Sequence, residues 1–115
     1  MVSSPLLDGA GLRITSASVK KGKPTVVKYS WKYNHKSPRH FGVAVVEMWG
    51  HEFTLLDDDV RTRRHGGDGK GKYTASIESR KDTPSDYALV FVDINNRYNV
   101  YATSETFKIK RSDFE

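Results

Sequence analysis

The chain has 115 residues, a formal net charge of +5 and a pI near 9.5, so it is long enough for one domain with one hydrophobic core. It contains no cysteine, which excludes disulfide bonds and thiolate chemistry. No apolar run approaches the roughly 18 residues that a membrane span needs, and the N-terminal residues lack the charge and apolar pattern of a signal peptide. The positive charge favours anionic partners through long-range attraction.

The pattern of turn residues suggests how the chain is divided. Residues 1–10 are punctuated by Ser, Pro and Gly, and we expect a flexible N-terminal segment there. The domain is expected to span residues 11–111, with residues 112–115 as a C-terminal tail. No stretch shows a helical period over a useful length, so the sequence predicts an all-β domain.

Alternation of apolar and polar residues predicts the half-buried strands. Residues 25–33 alternate cleanly and place Val27, Tyr29 and Trp31 on one face, so Trp31 is expected in the core. Weaker patterns predict further strands at 12–19, 53–56, 72–79 and 98–110, while the pairing of residues 60–63 stays open. In the segment 72–79 the residues expected to face inward are Tyr73, Ala75 and Ile77.

Two nearly continuous apolar runs, 41–49 and 87–94, predict central strands that are covered on both faces. In the first run, Glu47 is expected near the solvated end, and Trp49 is expected to cap the end of the core. Tyr87 begins the second run and resembles the tyrosine corner of Greek-key sandwiches, in which the hydroxyl closes the preceding loop. The alternative is an ordinary core tyrosine at a strand start.

These elements amount to seven or eight short strands at spacings typical of an all-β sandwich. The predicted fold is an Ig-like Greek-key β-sandwich of antiparallel strands. A small closed barrel is the alternative. The sandwich is favoured because two strands are predicted to be buried on both faces and the others on one.

Three strand patterns resemble those of a fungal extracellular family, the Ig-like domain of Ser/Thr-rich GPI-anchored proteins and of yeast cell-wall β-glucan assembly proteins. The family tends to show an early strand with Val and Trp, a Tyr-x-Leu-x-Phe/Ile-x-Asp strand, and a final strand with Phe-x-Ile. The corresponding segments here are 26–31, 87–93 and 107–109. The resemblance implies an Ig-like fold, an extracellular or cell-wall location and a non-catalytic role, and it assigns no site residues.

No catalytic or cofactor motif emerges from the sequence. The acidic run 57–59 lacks the spacing of a calcium loop and predicts a solvated turn. The glycine-rich segment 66–71 lacks the Gly-Lys-Ser/Thr ending of a phosphate loop and predicts a flexible hairpin loop. Neither a nucleophile motif nor a pair of histidines at metal-binding spacing is present. We therefore expect a protein that is not an enzyme and binds no cofactor.

Aromatic and basic side chains are the candidates for binding. Trp49, Tyr98 and Tyr101 could stack on sugars or bases. Clusters of Lys and Arg, among them Arg61, Arg63 and Arg64, could bind phosphate or sulfate groups. The predicted function is that of a secreted, cell-surface or cell-wall module that engages a polysaccharide or a surface protein. A polyanion-binding module, for sulfated glycan or nucleic acid, is the alternative, and a cytosolic location and a homodimer both stay open.

Overall fold

The computed structural model describes residues 11–64, 66–78 and 85–114. Within these ranges the chain forms nine strands followed by a short 3-10 helix, Arg111–Phe114. The strands are β1 (Leu12–Lys20), β2 (Val26–Tyr33), β3 (His40–Glu47), β4 (Phe53–Arg61), β5 (Gly66–Gly67), β6 (Lys70–Ser76), β7 (Ser85–Asp93), β8 (Asn96–Thr103) and β9 (Phe107–Ile109). The described ranges include no helix of the length and apolarity that crossing a bilayer requires.

The strands form two antiparallel sheets that pack face to face. The first sheet has the order β1-β2-β6-β5, and the second has the order β4-β3-β7-β8, with β9 also paired to β7. The chain crosses from the first sheet to the second between β2 and β3, and again between β6 and β7. This is the Greek-key arrangement of Ig-like sandwiches, in which strands distant in sequence become neighbours. The predicted all-β sandwich is therefore confirmed.

The structure has more strands than the sequence predicts because two segments are divided. The predicted strand 98–110 is two strands, β8 and β9, which pair with different halves of β7. Between them the Ser104 amide donates to the Leu89 carbonyl at 2.8 Å, and the Ser104 hydroxyl accepts from the Leu89 amide at 2.9 Å. The glycine-rich segment contains the two-residue strand β5 and a tight turn into β6, with positive φ at Asp68 and Gly69.

The acidic run does not form a turn, and that prediction was wrong. Residues 57–59 lie inside β4, which continues to Arg61. The pairing of β3 with β4 shifts register on both sides of Val43, so β4 carries extra residues at this point. Because β4 is an edge strand, Asp58 and Asp59 remain exposed while Val60 turns into the core.

The core lies between the sheets and is centred on four aromatic rings. Phe41 and Phe91 of the second sheet stack with centroids 4.0 Å apart, and Trp31 of the first sheet meets both rings edge-on at 5.2 and 5.8 Å. Tyr29 stacks on Trp31 at 5.6 Å. The core position predicted for Trp31 is confirmed. Tyr73 is paired with Tyr29 and lies on the inward face as predicted, but it is 41% exposed because β6 is at the edge of the sheet at this point.

Strands β3 and β7 are buried on both faces, as the apolar runs predict. Their inner residues, such as Val43 and Leu89, belong to the main core. On the outer face, Ala44, Val90 and Val92 form a second buried cluster. Packed against that cluster are Val46 and Phe53, and the Arg97 guanidinium lies 5.7 Å from the Phe53 ring centroid.

Two predictions fall outside the described residues. One is the flexible segment 1–10, and the other is the turn before β7 that a tyrosine corner at Tyr87 would close. Tyr87 itself is buried in the core, so the strand it begins is confirmed while the corner stays a prediction. At the other terminus, residues 112–114 of the predicted tail belong to the 3-10 helix, whose Phe114 packs against the core.

Candidate functional site

The largest concentration of cationic side chains near one opening lies at one end of the sandwich. Two segments meet there, the β2–β3 loop at 34–39 and the turn that follows β4 at 61–64. They enclose an open depression of about 900 Å³ that we call the arginine depression. Its lining residues are His35, Ser37, Arg39, His40, Arg61, Arg63 and Arg64.

Thr62 joins the two segments, and it explains why the arginines face solvent. It is 0% exposed; its amide donates to the Arg39 carbonyl at 2.9 Å, and its hydroxyl donates to the Pro38 carbonyl at 2.6 Å. The Thr62 carbonyl accepts a hydrogen bond from the buried Trp31 indole at 3.0 Å. With Thr62 directed inward, its neighbours Arg61 and Arg63 are left on the surface.

Side-chain hydrogen bonds also hold the loop at 34–39. Ser37 is buried, accepts from the Asn34 amide at 2.9 Å and donates to the Gly11 carbonyl. The Asn34 side chain accepts from the Lys36 amide at 2.8 Å. Gly11 has a φ of 66°, and a Cβ at this position would overlap the Asn34 side chain. Both walls of the arginine depression are therefore fixed by local hydrogen bonds.

Arg63 is held in place before any ligand binds. Its guanidinium donates to the Asn34 carbonyl at 2.7 Å and lies 5.2 Å from the centroid of the Tyr33 ring. None of the arginines in this depression forms an ion pair within the described part of the chain. Their charge is therefore available to an anion, and the planar guanidinium can bind two oxygens of a sulfate, phosphate or carboxylate at once.

Two carboxylates, those of Asp57 and Asp59, border the cationic cluster. Asp59 lies 2.6 Å from the Nδ1 atom of His40, and His40 is paired in register with Arg61. Arg61 and Arg64 also line a smaller depression, of about 340 Å³, together with Asp57, Asp59 and Tyr73. The four guanidinium groups outnumber these acidic neighbours, so the arginine depression stays positive.

Trp49 lies at the opposite end of the sandwich, because β3 runs from His40 in the depression to Glu47 beside Trp49. Trp49 is 80% exposed, so it does not cap the core as the sequence predicts. Glu47 is only 3% exposed, which also contradicts its predicted solvated position. Its carboxylate accepts from the Trp49 amide at 3.0 Å and from the Gly50 amide, and these bonds fix the turn that presents the indole.

The two candidate tyrosines have different environments. Tyr98 on β8 is 90% exposed, and its ring is available to a ligand. Tyr101 is partly buried and packs against the core, and burial, followed by the nearby Asp93 carboxylate, raises the pKa of its phenol. The structure thus brings Arg61, Arg63 and Arg64 together but leaves the three aromatic candidates in separate places.

Sequence reasoning missed the contribution of the β2–β3 loop to this site. His35, Arg39 and His40 are distant in sequence from Arg61, and no spacing connects the two groups. Their juxtaposition depends on the register of β3 with β4. A signal was present, since a polar loop carrying Lys36 and Arg39 precedes the first central strand, but it does not specify a partner segment.

The other candidate sites give no ligand geometry. Among the described residues, no group of His, Cys, Asp and Glu is arranged to hold a metal ion. The glycine-rich hairpin between β5 and β6 is followed by a strand, whereas phosphate loops lead into a helix N-terminus. The arginine depression is therefore the best-defined candidate site in the described part of the chain.

Comparison with known proteins identifies no relative. The chain matches no protein-family model, no curated protein and no solved structure. The resemblance to the fungal Ig-like domains stays a prediction.

Proposed function

We propose that this protein is a non-enzymatic module that binds a polymer carrying sulfate or phosphate groups, and that the arginine depression is its binding site. The observation that carries the proposal is the convergence of Arg39, Arg61, Arg63 and Arg64 on one opening. Arginine stays protonated throughout the physiological pH range, and the N–H groups of its planar guanidinium donate hydrogen bonds in fixed directions. These properties suit the recognition of fixed anions and do not suit proton transfer.

The preorganisation of the depression supports binding of a ligand at this place. Arg63 is already oriented by Asn34 and Tyr33, and Thr62 fixes the turn that carries it. A side chain that is ordered beforehand loses less conformational entropy when the ligand binds. An extracellular or cell-surface location, with an anionic surface polysaccharide as partner, is part of this proposal.

A charge-matched pair of variants tests the site on heparin resin. Arg61→Gln/Arg64→Gln removes two charges from the depression, and Lys108→Gln/Lys110→Gln removes two from exposed positions at the other end of the sandwich. We expect the wild-type protein to be retained, and the arginine variant to elute at clearly lower salt than the lysine variant. Equal elution of the two variants would contradict the proposal, as would a wild-type protein that is not retained.

A third variant separates charge from geometry. Arg61→Lys/Arg64→Lys keeps both charges but replaces both planar guanidinium groups with ammonium groups. It is expected to elute at a salt concentration between those of the wild type and the glutamine variant. Elution equal to the wild type would show that only net charge matters and that the depression recognises no specific geometry.

Neutral polysaccharide binding is a second candidate function, favoured by the exposure of Trp49 and Tyr98. Aromatic stacking on sugar rings depends little on ionic strength, whereas polyanion binding weakens steeply with added salt. Retention on insoluble β-glucan at high salt, abolished by Trp49→Ala or by Tyr98→Ala, would favour this function over the first. Loss of glucan retention at high salt would exclude it.

A further inference from the structure

The outer face of the first sheet carries a second set of cations, which form no ion pair within the described ranges. The strands of this sheet contain no Asp or Glu, and their outward positions are basic or hydroxyl-bearing apart from Val26. We call this surface the lysine face. Its cations, all exposed, are Arg13, Lys20, Lys28, Lys32, Lys70 and Lys72.

The strand register places three of these cations in one row. Lys32 of β2 is directly opposite Arg13 of β1 on one side and Lys70 of β6 on the other. Directly opposed like charges destabilise a sheet, so the row lowers stability unless an anion lies over it. In the next row Lys72 is opposite Ser30, whose hydroxyl is 2.7 Å from that of Thr15.

These two rows border a shallow depression of about 430 Å³. Its lining includes Thr15, Ser30, Lys32, Lys70 and Lys72. Ammonium groups and hydroxyls together can bind sulfate or phosphate oxygens. The face therefore offers a second place for an anionic group.

The lysine face and the arginine depression meet at the end of β2. Lys32 is followed by Tyr33 and Asn34, the two residues that hold the Arg63 guanidinium. The Tyr33 amide donates to the Gly69 carbonyl at 2.8 Å, which ties the turn before Lys70 to the same end. A long ligand bound in the arginine depression can thus extend past the end of β2 and contact the lysine face.

We propose that the ligand is a flexible sulfated polysaccharide whose chain runs from the arginine depression onto the lysine face. This inference rests on the proposed function and specifies its ligand. A nucleic-acid duplex is a poor fit, because its persistence length of about 50 nm resists bending around one domain. A single nucleic-acid strand is flexible, but its binding relies on aromatic stacking, and the aromatic ring that lines the depression on the lysine face, Trp31, is only 1% exposed.

The test uses heparin oligosaccharides of defined length with the full chain, and affinities measured by calorimetry at several salt concentrations. The lysine-face variant is Lys32→Gln/Lys70→Gln/Lys72→Gln. The matched control, Lys21→Gln/Lys108→Gln/Lys110→Gln, removes the same charge from exposed positions at the opposite end. Arg61→Gln/Arg64→Gln reports separately on the depression, and circular dichroism confirms that each variant is folded.

For dodecasaccharides we expect the lysine-face variant to lose about tenfold in affinity. The slope of its log affinity against log salt concentration should become smaller in magnitude by about two units. This value takes each of the three lost contacts to contribute the roughly 0.7 units that one phosphate contact contributes on a single nucleic-acid strand. For disaccharides, which the depression alone can accommodate, the same variant should bind like the wild type. The arginine variant should lose affinity for both lengths.

Each outcome discriminates between the two proposals. Equal losses in the lysine-face variant and its control would overturn the extended path and leave the depression standing. A loss only in the lysine-face variant, with none in the arginine variant, would overturn the proposed site in the depression. Tighter binding of duplex DNA than of dodecasaccharides at matched salt would overturn the assignment to a sulfated polysaccharide.

Discussion

The two sheets of this sandwich use their outer faces in opposite ways. The first sheet exposes the lysine face, with hydroxyls between its cations and no carboxylate in any of its strands. The second sheet buries Ala44, Val90 and Val92 on its outer face. Its strands also carry the carboxylates, which are Glu47, Asp57, Asp58, Asp59, Asp86 and Asp93.

The difference shows how one small domain can separate stability from binding. Strands β3 and β7 contribute residues to apolar clusters on both faces of the second sheet, so this sheet supplies much of the buried surface. The first sheet has one apolar face, and its outer face is free to carry uncompensated charge. Substitutions of buried residues in the second sheet should therefore affect folding, whereas outward substitutions in the first sheet should affect binding.

The largest expected effect is the truncation of Phe91 in the second sheet. Its ring stacks on Phe41 and meets Tyr29 and Trp31 of the first sheet. Phe91→Ala should lower the free energy of unfolding by about 3–5 kcal/mol, through lost burial and the cavity left behind. Urea denaturation measures the change.

The control for this prediction is Tyr98→Ala, which truncates a ring of similar size at an exposed position of the same sheet. Its effect should stay within about 0.5 kcal/mol. If both alanine variants unfold at the same urea concentration, the second sheet does not carry the stability assigned to it.

A smaller effect is expected from overpacking the inner face of the first sheet. Gly71 is directly opposite Trp31, and a Cβ at position 71 would overlap carbons of the indole ring. Gly71→Ala should cost about 1–3 kcal/mol because the ring or the strand has to shift. Thermal or urea unfolding gives the measurement.

Gly67 provides the matched glycine control. A Cβ at this position meets no atom within 4 Å, so Gly67→Ala should change stability by less than about 0.5 kcal/mol. A Gly71→Ala variant as stable as Gly67→Ala would mean that the indole is not packed against this strand.

The smallest expected effect concerns Tyr29, which places a polar atom of the first sheet in the core. Its buried hydroxyl has no hydrogen-bond partner among the described residues. Burial, then the Asp57 carboxylate and Tyr73, raises the pKa of the Tyr29 phenol far above its ordinary value of 10.0. Tyr29→Phe should therefore stabilise the protein near neutral pH by about 1 kcal/mol, since an unsatisfied buried group is removed.

The same pKa shift predicts how stability changes in alkali. Below pH 10 the phenol is protonated in both the folded and the unfolded chain, so its contribution is constant. Above that pH the unfolded chain loses the proton first, and stability falls as pH rises. Tyr29→Phe should reduce this alkaline loss, relative to the wild-type protein, in urea titrations at several pH values. A destabilised Tyr29→Phe variant at neutral pH would show that the hydroxyl has a stabilising partner.

The sequence predicted the sandwich well where its pattern reflects local geometry. Alternation in residues 25–33 identified β2 and its buried face, and the continuous apolar runs identified β3 and β7 as strands covered on both faces. Side chains alternate across every strand, so these statements need no knowledge of the neighbouring strands.

Predictions that depended on the surroundings of a residue were less successful. Trp49 was expected to cap the core and is exposed, while Glu47 was expected in solvent and is buried by its bonds to the following turn. Residues 57–59 were expected to form a turn and lie in a strand, because an edge position and an irregular register can hold three carboxylates. None of these facts is visible in a single segment.

The sequence by itself determined the fold class, the central strands, the inward aromatic residues and the excess of positive charge. Only the tertiary structure decided that residues 34–39 and 61–64 enclose one depression, and that Arg13, Lys32 and Lys70 share a row. The physical reason is that burial patterns are set by the local period of the strand. The convergence of charges is set by which distant strands pair and in what register, and the Greek-key crossings establish that pairing.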